Sequence, residues 1–127
     1  MSLQIQIQPP THGSQRVFLN GRLDTHTYED LDERLAPLLT RQLHSLVLDL
    51  AGLDYISSAG IRSIFKARKQ LGLHGGKVLL VNPQAQIRKV LDIVQAVPMH
   101  EIFVSTAEAD AYLDAMQRKV LDGDEDL

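Results

Sequence analysis

Two short apolar runs, SLVLDL at 45–50 and KVLLVN at 77–82, are each followed by a helical stripe, and this alternation constrains the fold more than any other feature. A strand that is apolar at nearly every position is one covered on both faces. A helix with apolar residues three and four apart buries one side and leaves the other in water. After the first run, Ile61, Ile64, Phe65 and Leu71 fall on one side and read as core. After the second, Pro83 marks a helix start, and Ile87, Val90, Leu91 and Val94 repeat the stripe. Strands alternating with helices in this way imply an α/β layer fold, with helices packed on a central sheet.

The remaining segments extend the pattern. Leu3, Ile5 and Ile7 alternate with Gln4, Gln6 and Gln8, a period-two strand closed by Pro9 and Pro10. A second short strand is expected over 16–20, ending at Gly21. Tyr28, Leu31, Leu35 and Leu38 predict a helix over 25–39, with Glu29 and Asp30 at its front, where the macrodipole favours acids. Pro37 is expected to make its last turn irregular. Gly72 and the pair Gly75 and Gly76 stop the helix that follows the first run. A weak strand at 102–104 precedes a final helix from Thr106, with Glu108 in its first turn. The last six residues, DGDEDL, are acidic and lack an apolar stripe, so a tail over 118–127 is expected to be disordered.

Composition narrows the function. A chain of 127 residues fits one domain. A net charge of −3, 5% aromatic residues and no Trp give no basic patch or stacking platform for nucleic acid. The absence of Cys removes thiol catalysis and thiolate metal sites, and five scattered His show no ligand spacing. No signal peptide is visible and no apolar run approaches the ~20 residues of a membrane span, so a cytoplasmic protein is expected.

The chemistry concentrates between the first apolar run and its helix, in LDYISSAGIRSIFKARK at 53–69. Ser57 and Ser58 are both candidate N-caps. Neither has a Glu or Gln three residues on, since those positions hold Gly60 and Ile61, so no capping box forms. Gly60 in the first turn weakens a helix by up to ~1 kcal/mol against alanine, and leaves backbone N–H groups open to close approach. Residues 58–74 carry Arg62, Lys66, Arg68 and Lys69 and no acid. A helix N-terminus is an anion site, so a phosphate on the cap hydroxyl is tolerated there and adds ~1.5 to 2 negative charges. Nucleophilic catalysis lacks support: no His is near in sequence, and neither a G-x-S-x-G elbow nor a Walker loop is present.

The segment LVLDLAGLDYISSAGIR resembles the signature of STAS domains, particularly the bacterial anti-sigma factor antagonists. LNGRLDTHTYEDL at 19–31 resembles that family's second strand and helix entry, and GGKVLLVNPQAQIRKVLDIV its later glycine turn, strand and helix. The resemblance covers roughly 3–113 and implies a single STAS-like domain at 1–117, with a central mixed sheet of four to five strands and about four helices.

Carried over by position, it makes Ser58 the phosphoacceptor, with Ser57 a secondary candidate. The family's usual D-S-S/T-G reads Ser57-Ser58-Ala59-Gly60 here, so a carboxylate and an alternative hydroxyl are both missing. Asp24 matches the aspartate of the family's G-x-L-D and either faces a partner or caps the next helix; Arg62 is either a partner contact or an ordinary solvated cation. Asp24, Ser57, Ser58, Ala59, Gly60 and Arg62 form the expected partner-binding set, with no catalytic residue, metal or cofactor.

The resemblance implies partner switching. The unphosphorylated chain binds an anti-sigma factor, itself a serine kinase with a histidine-kinase-like ATP fold. Phosphorylation blocks binding, and a metal-dependent serine phosphatase restores it. Membrane and nucleic acid are not expected as partners. Two other classes compete: a constitutive STAS assembly subunit of a signalling or transporter complex without a phospho-switch, and a nucleotide-binding or hydrolytic domain, which would bind nucleotide in isolation.

Overall fold

The computed structural model describes residues 2–96 and 106–123. β1 (Leu3–Ile7) and β2 (Ser14–Leu23) form an antiparallel hairpin. At its turn, Thr11 and Ser14 exchange backbone hydrogen bonds of 2.7 and 2.9 Å around His12 and Gly13, whose φ angles are 52° and 79°. Two positive φ angles match the twist of a strand pair, and Gly13 adopts one without a Cβ clash.

The chain continues through α1 (Tyr28–Leu39), β3 (Ser45–Ile56), α2 (Ser58–Gly72), β4 (Lys77–Val81), α3 (Ala85–Ala96) and α4 (Thr106–Leu121). The sheet order is β1-β2-β3-β4, with β2–β3 and β3–β4 parallel, so it is a mixed four-stranded sheet as expected. The strand expected at 102–104 lies outside the described residues.

One hydrophobic core joins the layers. It takes Leu19 from β2, Leu31 and Leu35 from α1, Leu46 and Leu48 from β3, Leu71 from α2, Ile87 from α3 and Leu113 from α4. Each such side chain contributes about 1.5–3 kcal/mol by leaving water.

The differences from the sequence expectations fall at element ends and at the margins of the apolar stripes. β2 begins before 16 and does not end at Gly21, and β3 runs on from 50 to Ile56. β3 carries an extra residue against β2 at two register shifts, after Phe18 and after Gly21. Bulges of this kind break the two-residue alternation while the strand continues. α1 starts at Tyr28, later than 25, and passes Pro37 to reach Leu39. Pro37 sits in the last turn, and the Thr40 hydroxyl donates to its carbonyl at 2.9 Å.

Phe65 is not core: it is 39% exposed, one position off the buried line of Ile61, Ile64, Ala67 and Leu71. KVLLVN is likewise not covered on both faces among the described residues, because β4 lies at the sheet edge with Leu79 44% exposed. α4 continues through Leu121 with Val120 buried, four residues into the stretch read as tail.

Candidate functional site at the start of α2

Strand β3 delivers the two serines. Its bulges carry it to Ile56, and Ser57 N–H then donates to Leu23 O at 2.9 Å, tying the ends of β2 and β3 together. Ser57 is extended (φ −102°, ψ 176°) and is the N-cap of α2; its hydroxyl accepts from Gly60 N–H at a long 3.4 Å. Ser58 is therefore the first helical residue and not the cap. Its hydroxyl is buried and, among the described residues, has no hydrogen-bond partner.

Gly60 has an internal reason. A Cβ there would lie 2.6 Å from Leu23 Cγ and 2.9 Å from Leu23 O, so the first turn of α2 packs directly on the end of β2. What approaches this glycine is the chain itself. Ala59 and Gly60 are buried with the serines, whereas Arg62 is exposed.

Asp24 does not cap α1. Its carboxylate accepts from His26 N–H at 2.9 Å, closing an Asx turn, and the N-cap is Thr27. The Thr27 hydroxyl donates to Arg22 O at 2.8 Å and accepts from Asp24 N–H at 2.9 Å, which holds the loop in place. Arg22 lies 3.4 Å from the Asp24 carboxylate and stacks over the Tyr55 ring, 4.1 Å from its centroid. Burial raises the Tyr55 pKa above its ordinary value, Asp114, Asp110 and Asp24 raise it further, and Arg22 lowers it. The neighbourhood of the serines is thus acidic on the α4 side, although α2 itself is basic.

Two residues absent from the sequence expectation complete the site. Asp110 Oδ1 accepts from Ser58 N–H at 2.9 Å. Gln117, itself buried, accepts from Ile56 N–H at 3.0 Å and donates to Ile56 O at 2.8 Å. Both come from α4, 52 and 61 residues along the chain from their partners. Gln117 had a readable signal, since it interrupts the apolar stripe Ala109, Leu113, Val120; Asp110 had none.

The arrangement holds a serine at a helix N-terminus and, among the described residues, engages no base with its hydroxyl. Among the described residues, no three His, Asp or Glu side chains are grouped to hold a metal, and no helix is long and apolar enough to cross a membrane.

The family model for the STAS domain matches residues 6–109. The chain belongs to the STAS domain family. BtrV of Bordetella bronchiseptica, assigned as an anti-sigma factor antagonist, is 36% identical over 75 residues, covering 59% of this chain and 65% of its own length. Sulfate transporter 3.2 of Arabidopsis thaliana is 26% identical over 90% of this chain but only 18% of its own. The chain thus spans less than two thirds of the length of either relative. The Bacillus anti-sigma factor antagonist SpoIIAA, solved in unphosphorylated and phosphorylated forms, has the same fold. The unphosphorylated form gives a TM-score of 0.61 at 21% identity, covering 71% of this chain and 83% of SpoIIAA.

Proposed function

We propose that this chain is an anti-sigma factor antagonist that works by partner switching and has no catalysis of its own. The unphosphorylated form binds an anti-sigma factor that is also a serine kinase with a histidine-kinase-like ATP fold. Phosphorylation of Ser58 releases the partner, and a metal-dependent serine phosphatase resets the cycle in the cytoplasm. Ser57 is the secondary acceptor. Asp24 and Arg62 frame the contact surface, and Ala59 and Gly60, both buried, form the turn that carries it.

The observation that carries this reading is the position of Ser58 as the first residue of α2. There the helix dipole favours an anion, a place the Asp110 carboxylate takes on Ser58 N–H in the unmodified chain, and a phosphate adds charge and bulk that break an interface. Likeness to BtrV, itself assigned as an anti-sigma factor antagonist, supports the same class.

The test is affinity capture from the native host with the natural chain and with Ser58→Glu. The natural chain is expected to retain a protein bearing a histidine-kinase-like ATP domain, and Ser58→Glu to lose it. Equal retention by both contradicts the switch and favours a constitutive assembly subunit. Buried Ser58 and the likeness to part of a sulfate transporter both suit that second reading.

A further inference from the structure

We propose that α4 is a gate over Ser58: it is latched to the start of α2 by Asp110 and to the end of β3 by Gln117, and must lift before Ser58 is modified or bound. The significance of the gate rests on reading Ser58 as the acceptor, but its existence is a property of the isolated chain.

Three observations converge. Ser58 is 3% exposed and its hydroxyl has no partner among the described residues, so in this conformation neither an enzyme nor a binding surface reaches it. A buried hydroxyl without a partner destabilises the state that buries it, which biases this contact toward opening. Asp110 already holds the anion position: its carboxylate accepts the Ser58 N–H, a donor that a phosphate at this helix end would use. Gln117 supplies the latch, with both ends of its amide bonded to the Ile56 backbone and its N–H₂ also donating to Leu113 O at 3.1 Å.

The electrostatics set the direction. Asp110 faces this region through its bond to Ser58 N–H, and Asp114, one turn further along α4, is a second carboxylate whose charge, like that of Asp110, raises the pKa of Tyr55 on β3. A phosphate of ~1.5 to 2 negative charges on Ser58 competes with Asp110 for the same donor and repels both carboxylates. Modification therefore holds α4 away, so that lifting permits phosphorylation and phosphorylation prevents closing. Arg118 already pairs with Asp114 and does not bond to the serine.

The absence of cysteine allows a direct test on the full chain. Ser58→Cys introduces a single thiol, whose labelling by an aromatic disulfide reagent reports access to that position. Ser63→Cys is the control. Ser63 is equally buried, but it lines the α1–α2 contact beside Asp32 and Leu35. The expected result is slow labelling at both positions. Adding Gln117→Ala, which removes the two hydrogen bonds that tie α4 to Ile56, is expected to speed labelling at 58 about tenfold or more. The milder Asp110→Ala is expected to speed it a few-fold, and position 63 is expected to stay slow throughout.

Labelling at 58 as fast as in the unfolded chain overturns the gate. So does a rate that neither substitution changes, or acceleration at 58 and 63 in step, which is global unfolding. No kinase or partner enters the assay. A phosphate missing from Ser58 in cells would overturn the proposed function and leave the gate standing.

Discussion

Two buried polar side chains flank the parallel half of this sheet, and they are treated in opposite ways. Asp49, at the centre of β3, is 5% exposed and fully engaged. It accepts from Arg16 at 2.8 Å, from Ala51 N–H at 3.1 Å and from Asn82 at 3.2 Å. Ser58, just past the end of the same strand, is as deeply buried with an unpartnered hydroxyl, under a helix that arrives from the far end of the chain. The first is how a fold spends polarity to fix a bulge and join three elements. The second is a group whose desolvation goes uncompensated among the described residues, an exception to the rule that buried polar atoms are paired. On the proposed function, the difference separates scaffold from switch.

Substitution sharpens the contrast. Asp49→Ala strands the Ala51 N–H and the Asn82 amide, while Arg16, 42% exposed, re-solvates. A loss of about 2–3 kcal/mol is expected from urea unfolding. Gly60→Ala forces a Cβ against Leu23 O, which is backbone and cannot swing aside; about 1–3 kcal/mol is expected to be lost in the same measurement.

The acid limb tests Asp49 from another side. Burial raises its pKa, but the hydrogen bonds from Arg16, Ala51 and Asn82, with the Arg16 charge, outweigh that and hold it below 3.8. With the folded pKa depressed, the unfolded chain binds the proton first. Stability from this group is complete above the unfolded value and falls as pH drops through the folded one. Unfolding free energies between about pH 2 and 6 are expected to fall less steeply in Asp49→Asn than in the natural chain.

The smallest effects belong to the serines. Ser57→Ala removes a long cap bond and is expected to cost about 0.5 kcal/mol, the weak end for a cap. Ser58→Ala deletes a hydroxyl with no partner and is expected to be neutral or stabilising by up to about 1 kcal/mol. A loss there as large as at Asp49 would erase the distinction between the two sites.

Much of the scaffold was legible because it rests on local periodicity. The stripe on α3 and the alternation in β1 depend on neighbours within a few residues, and the structure has an element at each place. The full length of β3 was not, because its bulges put Ala51 and Asp54 out of phase and hid six residues of strand. Phe65 misled because a helical stripe has soft edges, and one residue beyond Ile64 is already turning outward. At the site, Ser57, Ser58 and Gly60 were visible as an odd cap. Their environment was not: the carboxylate on Ser58 N–H comes from 52 residues away, and no local pattern encodes which helix closes over which.

The most direct measurement of the central claim is intact-mass and peptide-mapping analysis of the chain isolated from its native host, beside Ser58→Ala. The expected result is a phosphate on the peptide containing Ser58, present in part of the population and missing from the variant. An unmodified chain under growth, starvation and stress alike, or a phosphate that persists in Ser58→Ala, would contradict the assignment of Ser58 as the switch.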